Sequence, residues 1–579
     1  MRLPTVWSLA AVTLLAVAPL VRADSYTRPV GYVITHYSFE VQLGDANDQV
    51  AVRDTVTVRF TQGGVRQVAL DLCQYRAEAE PADRSNPCLP RPPYGAPKTA
   101  PAPAAGTGMQ VTAVTAADGK GLKFEQSHDR LLVTLAQPGM AGQEAEFTAV
   151  YHGRPANGLL IGNNRYGDRE FFTNEWPDLA RNWLAVVDHP SMKATKEISV
   201  TAPRQYQVLS NGLKTESTDL PGGLRRTVWR EDTPICTWQF SLAVAPMAVD
   251  YFGDFHHIAL SAWVFPQERA AGFDAFSRYT QPILEFYVDH IGPYSYEKLA
   301  QVEANGVGGG MELASDIFYG YPASGPGRQL IAHEMAHQWF GDSVTEKDWD
   351  DVWLSEGFAT YFALLYTEHQ DGHDAFIEGV EHSAAEARRY ATQHPTSTLV
   401  HNNLQDISQV IANNAQIYQG GAQVLHMLRG VLGTGTFWDG IRLYYQRFRN
   451  HNASSVDFQH AMEDACKQDS ECPAYGHDLS WYFSEWLHRG GILHASYAWR
   501  YDPAAHALTV TVDQAADQGQ YFQMPVEIAV NGDAAPGVLM LKGPHSSLRI
   551  PEASAPAAVT LDPDHWLTMA EFQPLTPNR

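Results

Sequence analysis

The stretch HEMAHQWFGDSVTEKDWDDVWLSEGFATY, residues 333–361, places two histidines and three glutamates within a short span of the chain. His333 and His337 are four residues apart, so on a helix they project from one face and can bind the same metal ion. Glu334 lies one helical step around from them, where it can take a proton from water instead of binding the metal. The segment WLSEGFATYFALLY predicts a second helix, on which Glu356 would supply a third ligand.

The predicted ligand set is that of a catalytic zinc site. Two histidines, one glutamate and one open coordination position are typical of catalytic zinc, whereas structural zinc is enclosed by four protein ligands. The alternative is that the short pattern arises by chance and that these are ordinary surface or core residues. The apolar residues inside the pattern suit a buried helix, and a carboxylate follows on the next helix. We therefore expect one zinc ion per chain, bound by His333, His337 and Glu356, with Glu334 as the catalytic base.

Length, composition and charge restrict the class of protein. The chain has 579 residues, of which 44% are hydrophobic, so it is too long for one core and apolar enough to fill several. We expect roughly two to four domains and exclude a disordered protein. The formal net charge of −24 argues against nucleic acid or an anionic membrane as the main partner, because either requires clustered lysine and arginine.

The N-terminal residues resemble an export signal. Residues 1–23 begin with Arg2, continue through an apolar run and end in Val-Arg-Ala, which predicts a signal peptide cleaved after Ala23 and a mature chain that begins at Asp24. The alternative is an uncleaved membrane anchor, but the apolar run is shorter than the roughly 20 residues that a spanning helix needs. No later segment is long enough to span a bilayer. We therefore expect an exported protein, either secreted or periplasmic.

Five cysteines are consistent with export, because an oxidising compartment permits disulfides. Cys73 with Cys88 and Cys466 with Cys472 form two close pairs in the sequence, and Cys236 stands alone. We predict two disulfides and one free thiol. The alternative is that all five are reduced core residues.

The periodicity of the chain divides it into three domains after the signal. Residues 24–250 alternate apolar and polar residues as half-buried strands do, with a Pro-, Ala- and Gly-rich loop over 87–108. Residues 251–490 show the helical period and contain the zinc-binding pattern. Strand patterns return over 491–579, with an Asn-Gly turn signal between two of them, and predict a small β-sandwich.

The segments HEMAHQWFGDSV and WLSEGFATYF resemble the zinc signature of the gluzincin aminopeptidases of the M1 family, the group that includes aminopeptidase N and leukotriene A4 hydrolase. The resemblance extends over nearly the whole mature chain. It implies a multidomain α+β fold with an N-terminal β saddle domain, a thermolysin-like α+β catalytic domain and a closing β-sandwich. It also implies that the large C-terminal helical domain of many members is missing, which would leave the active site more open.

Three further segments resemble substrate-binding or catalytic motifs of that family. GGGMELAS resembles the Gly-x-Met-Glu-Asn exopeptidase motif, with Gly309, Gly310, Met311 and Glu312 in register and Leu313 in place of the usual asparagine. The resemblance implies that Glu312 binds the substrate amine. The flexible glycines at 306, 308, 309 and 310 would let a peptide backbone approach closely and add as an extra strand; the alternative is an ordinary Gly-rich turn.

The other two segments lie before and after the zinc signature. IYQGGAQVLHML resembles the segment with the family's transition-state tyrosine, which corresponds to Tyr418, although Gly420 replaces the usual lysine. FFTNEWPDLARNWLAVVDHP resembles the stretch that supplies a second carboxylate for the amine, which corresponds to Glu175, although Thr173 replaces the usual glutamine. Other histidines have no ligand partner at suitable spacing and are interpreted as structural: His394, His401 and His426.

These residues together predict an exported zinc metallo-aminopeptidase that acts on peptides with a free N-terminus. One alternative is a zinc endopeptidase, which would keep the zinc ligands and Glu334 but have no use for Glu312 and Glu175. Another is a non-catalytic peptide-binding protein, which would be expected to lose Glu334 or a ligand. The sequence contains no signal for the oligomeric state or for the preferred N-terminal residue.

Overall fold

The computed structural model describes residues 24–78, 86–89, 105–320, 325–402, 404–410 and 414–575. The predicted signal peptide and most of the predicted loop over 87–108 lie outside the described residues. None of the helices in the described ranges is long and apolar enough to cross a lipid bilayer.

The first part of the chain folds into β-sheets, because its alternating pattern buries one face of each strand. In β2, for example, alternate residues from Val50 to Phe60 are buried. The strands are β1 (Tyr32–Gln42), β2 (Val50–Phe60), β3 (Val65–Asp71), β4 (Gly108–Ala116), β5 (Lys123–Ser127), β6 (Arg130–Gly139), β7 (Glu144–Arg154), β8 (Gly158–Asn163), β9 (Arg169–Asn174), β10 (Ala194–Pro203), β11 (Gln207–Ser210), β12 (Leu213–Leu220), β13 (Leu224–Ile235) and β14 (Leu242–Ala245).

These strands form three sheets. The largest has seven strands in the order β12-β13-β10-β1-β2-β7-β4 and is antiparallel except for the pairing of β1 with β10. A four-stranded sheet has the order β11-β14-β9-β8, and a three-stranded sheet has the order β3-β6-β5. The turn after β9 therefore places Glu175 next to the end of the four-stranded sheet.

A fourth sheet, with both parallel and antiparallel pairs, supports the helices that contain the zinc-binding residues. Its strands are β15 (Ala248–Phe255), β16 (Ile258–Val264), β17 (Lys298–Ala304), β18 (Gly310–Met311) and β19 (Asp316–Gly320), and a small pair is formed by β20 (Thr345–Glu346) and β21 (Asn452–Ala453). The sheet order is β15-β16-β17-β19-β18, so the glycine-rich strand β18 is an edge strand. The sheet begins at Ala248, close to the predicted domain boundary after residue 250.

Eight α-helices in the described residues pack on and around this sheet. The helix α3 (Trp353–Asp371) is buried along most of its length. Gly372, with a φ of 91°, separates it from α4 (His373–Gln393). A six-residue π-helix, Ala415–Gly420, leads directly into α5. The helices are α1 (Arg269–His290), α2 (Arg328–His337), α3 (Trp353–Asp371), α4 (His373–Gln393), α5 (Gly421–Leu432), α6 (Thr434–Phe448), α7 (Ser455–Gln468) and α8 (Ser480–His488).

The chain then returns to strands, which are β22 (Leu493–Asp502), β23 (Ala507–Gln514), β24 (Met524–Val530), β25 (Asp533–Leu541), β26 (His545–Pro551), β27 (Val559–Leu561) and β28 (Ala570–Pro574). They form one sheet of the order β26-β23-β22-β28 and another of the order β25-β24-β27.

Both predicted disulfides are present, Cys73–Cys88 and Cys466–Cys472, each with 5.3 Å between its Cα atoms, and Cys236 is buried as a free thiol.

Candidate active site

The three predicted zinc ligands converge on one point. His333 and His337 project from the same face of α2, and their Nε2 atoms are 3.2 Å apart. Oε2 of Glu356, on α3, lies 3.4 Å from His333 Nε2 and 3.3 Å from His337 Nε2. Ligands at the usual zinc distance of about 2.0–2.1 Å in a tetrahedron are about 3.3 Å apart. The spacing of the three donor atoms is therefore that of a tetrahedral zinc site.

The surroundings of these donors also fit a zinc ion. Glu356 Oε2 is buried without a hydrogen-bond partner in the described part of the chain, which a cation would supply. The Nδ1 atom of His337 lies 3.2 Å from the carbonyl oxygen of Phe340 and 3.0 Å from Ser355 Oγ. Such contacts orient a metal-binding imidazole and leave Nε2 for the metal.

Glu334 lies beside the ligands and faces the same cavity, and its side chain is buried. Burial and the nearby Glu312 carboxylate raise the pKa of Glu334 well above its usual value. Its position depends on Gly310 of the edge strand, because a Cβ atom at residue 310 would lie 2.2 Å from the Glu334 carboxyl carbon. A glycine at this position therefore lets the glutamate occupy the space between β18 and the zinc ligands.

Tyr418 lies against the ligand group. Its ring stacks on the His333 ring at 5.9 Å between centroids and 7° between planes, and its hydroxyl donates a hydrogen bond of 2.7 Å to Glu356 Oε1. Burial and the negative charge of Glu356 raise the pKa of Tyr418 well above its usual value, so the hydroxyl stays protonated. The π-helix that carries Tyr418 packs against both α3 and α4, which fixes this arrangement.

Glu312 faces the cavity at the end of strand β18. It is 4% exposed, Oε1 lies 3.9 Å from His337 Nδ1, and Oε1 has no hydrogen-bond partner in the described residues. Burial raises its pKa to about 7. Gly309 and Gly310 line the same cavity, whereas the Met311 side chain is buried and is not part of the lining. An unpartnered buried carboxylate beside an edge strand is suited to a cationic group on a bound peptide.

The structure does not bring Glu175 together with Glu312. Glu175 is fully buried, is absent from the cavity lining, and accepts a 2.7 Å hydrogen bond from Trp183 Nε1. Burial raises its pKa to about 8. Its other oxygen lies where a side chain at Gly158 would be, only 2.8 Å from a Cβ built there. The predicted role of Glu175 as an amine ligand has no support in this arrangement, because its side chain turns into the core of the N-terminal domain.

The cavity has a volume of about 990 Å³ and extends well beyond the predicted residues. Of the histidines interpreted as structural, none lines it. The sequence interpretation missed polar residues on α3 and α4 that line the cavity at helical spacings, a pattern that could have indicated one shared face. These residues are Thr360, Thr367, Glu378, His382, Ser383 and Glu386.

A second group of potential metal ligands, Asp24, His189 and Asp348, lies elsewhere in the described residues. Asp24 Oδ2 lies 2.9 Å from His189 Nε2. The guanidinium of Arg28 contacts all three side chains, including an ion pair with Asp348. Because a cationic side chain already fills the space among them, we interpret this group as a structural ion-pair cluster.

Two histidines from one helix and a glutamate from the next, facing an edge strand, define a centre of the gluzincin type. The Peptidase family M1 domain matches residues 326–486, and the Peptidase M1 N-terminal domain matches residues 107–238, together just over half of the chain. The chain belongs to peptidase family M1.

Individual relatives agree with this assignment. Aminopeptidase N of Oryctolagus cuniculus is 30% identical over 325 residues, which cover 52% of this chain and 33% of the relative. Probable aminopeptidase 1 of Sulfurisphaera tokodaii is 28% identical over 414 residues, covering 66% of this chain and 49% of the relative. The chain thus spans a third to a half of the length of these relatives.

The fold is also similar to a solved structure. An M1 zinc metallopeptidase from Deinococcus radiodurans superposes with a TM-score of 0.61 at 24% sequence identity, and the match covers 75% of this chain and 90% of that one. At this identity the similarity supports the fold.

Proposed function

We propose that this protein is an exported zinc aminopeptidase that hydrolyses the first peptide bond of peptides with a free N-terminus. The observation that carries the proposal is the tetrahedral spacing of the three donor atoms next to the buried, unpartnered Glu312 carboxylate. The signal pattern of residues 1–23 and the two disulfides support export. The proposal includes a β-sandwich formed by the last two sheets.

The residues around the ligands have distinct roles in this reaction. His333, His337 and Glu356 would hold a zinc ion, which would supply Lewis acidity toward the scissile carbonyl and toward a water molecule. Glu334 accepts the proton of that water and passes it to the leaving amine. Because the Glu334 side chain is buried, the proton moves between the glutamate and the substrate and is not lost to bulk water.

Tyr418 and Glu312 act on the substrate itself. The neutral Tyr418 hydroxyl donates a hydrogen bond to the oxyanion that develops on the scissile carbonyl. The Glu312 carboxylate binds the ammonium group of the N-terminal residue, and the edge strand β18 pairs with the peptide backbone. Because Glu312 lies close to the ligand His337, the bound amine is positioned one residue from the bond that is cleaved.

The test compares peptides with free and acetylated N-termini. A single buried carboxylate left without its cation costs about 2–5 kcal/mol, so acetylation should lower kcat/KM by about 30-fold to several thousandfold. Glu312→Ala should remove most of that difference, and a chelator should abolish turnover of both peptides. Equal turnover of the two peptides, with cleavage at internal bonds seen by mass spectrometry, would favour the zinc endopeptidase. Zinc binding without turnover of any peptide would favour the peptide-binding protein.

A further inference from the structure

The cavity continues away from the zinc ligands as a groove along α3. Residues 360, 363, 364 and 367 of this helix line it, and they follow Glu356 on one helical face. At 1.5 Å per residue, the distance from Glu356 to Thr367 along the helix axis is about 16 Å. The groove is therefore long enough for about four or five residues of an extended peptide at about 3.3 Å each.

Helix α4 forms the opposite wall of this groove and runs antiparallel to α3. Gly379 packs against Leu364, and His373 lies near Glu368, so position along one helix increases as position along the other decreases. The residues of α4 that line the groove recur at spacings of three or four and thus occupy one face of the helix. In this register, Glu386 lies toward the zinc ligands and Glu378 lies farther out, toward Thr367.

The groove is acidic and lacks cationic side chains. Among the described residues that line the cavity, five are glutamates and none is lysine or arginine. Three of the five belong to the catalytic end, and the other two are Glu378, which is exposed, and Glu386, which is partly exposed. Neither forms an ion pair with another described residue, whereas Glu381 on the same helix pairs with Arg388. The two groove carboxylates are therefore free to bind a cation from outside the protein.

The catalytic end of the cavity independently points to a cationic peptide ligand. Glu312 is buried, faces the same cavity and has an oxygen without a partner in the described part of the chain. This step rests on the proposed function: with the substrate amine at Glu312, only one residue precedes the scissile bond. A groove about 16 Å long must then hold residues that follow that bond.

We propose that the α3–α4 groove binds the substrate residues after the scissile bond and that Glu378 and Glu386 select peptides with lysine or arginine at these positions. The same carboxylates repel the C-terminal carboxylate of a dipeptide or tripeptide, because such a short substrate would place its negative charge inside the groove. The favoured substrates are cationic peptides of about five or more residues, a length that carries the terminal carboxylate past the groove.

The experiment uses hexapeptides that share an N-terminal residue and carry lysine, alanine or glutamate at one of positions 2 to 5. Release of the first residue gives kcat/KM for each peptide at about 20 mM and about 500 mM salt. Ion pairs at partly exposed carboxylates predict a lysine-to-alanine ratio of about three to five per contact at low salt, falling toward one at high salt. Glutamate should lower kcat/KM below that of alanine.

Variants then assign the selectivity to the groove. Glu378→Gln and Glu386→Gln should each reduce the lysine-to-alanine ratio, at different peptide positions, and the double variant should bring it to about one. Asp374→Asn is the matched control, because it removes an exposed carboxylate of α4 outside the cavity lining and should leave the ratio unchanged. The ratio is measured within each variant, so a lower amount of folded protein does not affect it.

Two outcomes would overturn the inference: a flat series in the wild-type protein, and a lysine preference that persists in the double variant. An aminoacyl anilide, which has no residue after the scissile bond, separates this failure from that of the proposed function. Cleavage of the anilide with a flat peptide series rejects only the groove, whereas no cleavage of the anilide or any peptide rejects the aminopeptidase.

Discussion

The proposed catalytic base lies beside the predicted zinc ligands. Glu334 directly follows His333 on α2, and its side chain is buried. It occupies space that exists because residue 310 has no side chain. We therefore expect metal binding and proton transfer to depend on different side chains.

Glu334→Gln tests this separation. The amide has nearly the same shape and cannot accept the proton of water, so kcat should fall by about 10² to 10⁴, the range for loss of a general base. The variant should retain near-stoichiometric zinc, because its donor atoms are intact. Metal analysis beside steady-state kinetics gives both quantities.

His337→Ala provides the comparison for that experiment, since it removes a donor and should lose zinc and activity together. If Glu334→Gln loses zinc as completely as His337→Ala, Glu334 is a ligand and the assigned roles are wrong.

The sequence predicts the donor group because the helical spacing of two histidines is a local property. The surroundings of Glu175 do not follow from such local spacing. Its identity and motif are suitable for an amine ligand, but its side chain is turned into the core by Trp183, eight residues later in the chain. The direction of a side chain in a turn depends on packing between distant segments, which spacing alone does not encode.

Individual helices contain buried polar groups that bear on stability rather than chemistry. His426 on α5 is buried, accepts a hydrogen bond from the Tyr361 hydroxyl at 3.2 Å, and donates one of 3.0 Å to the carbonyl oxygen of His565. These contacts suit a neutral ring. Burial accordingly lowers the pKa of His426 to about 4, from an ordinary value of 6.5.

This shift predicts a loss of stability in acid. Below its ordinary pKa, His426 takes up a proton in the unfolded chain but not in the folded one, so stability falls as the pH decreases from about 6.5 to about 4. The full contribution is about 3 kcal/mol. The fall in melting temperature between about pH 7 and about pH 5 should be smaller in His426→Gln than in the wild type, even though Gln lowers stability at neutral pH.

His477→Gln is the matched control, because His477 is an exposed histidine of a short 3-10 helix. It should reproduce the wild-type acid profile. An unchanged pH dependence in His426→Gln would show that other groups cause the acid sensitivity.

For whole helices and strands, the helical and strand periods predict the order of elements along the chain, but not which face of α4 meets the cavity. Helix α4 is amphipathic, and its sequence would assign Glu378, His382 and Glu386 to the solvated face. They line the groove because Gly379 lets α4 approach Leu364 on α3 closely. Tertiary packing therefore decides which surface the polar face of a helix meets.

Residues outside the catalytic domain also hold the zinc-binding segment in place. Gln239 donates hydrogen bonds to the carbonyl oxygens of Gly341 and Asp342, and Lys193 donates to those of Asp342 and Ser343. Each donor is separated from its acceptor by about a hundred residues or more, so no sequence period predicts these hydrogen bonds. The N-terminal sheets therefore help to fix the loop that follows α2.

The first described residues make a second link of this kind. Asp24 is buried, and one of its carboxylate oxygens contacts His189 Nε2 at 2.9 Å and accepts a 3.0 Å hydrogen bond from the backbone N–H of Trp349. Its other oxygen pairs with Arg28 at 3.2 Å. Trp349 begins the short 3-10 helix that leads into α3 and hence to Glu356. A single carboxylate thus connects the N-terminal segment, the N-terminal domain and the zinc-binding helix.

Asp24→Ala should destabilise the protein by about 1–3 kcal/mol, because it leaves the His189 ring and the Trp349 N–H without their partner in a buried site, whereas Arg28 keeps its ion pair with Asp348. The midpoint of chemical denaturation measures the loss. Asp118→Ala removes an exposed carboxylate paired with Lys120 and should leave the midpoint nearly unchanged.

Because Asp24 supports the entry to α3, its loss should also weaken zinc binding, seen as loss of metal at a lower chelator concentration. A lower midpoint with unchanged zinc affinity would restrict Asp24 to a role in folding, whereas no change in either quantity would show that the cluster does not hold the two domains together.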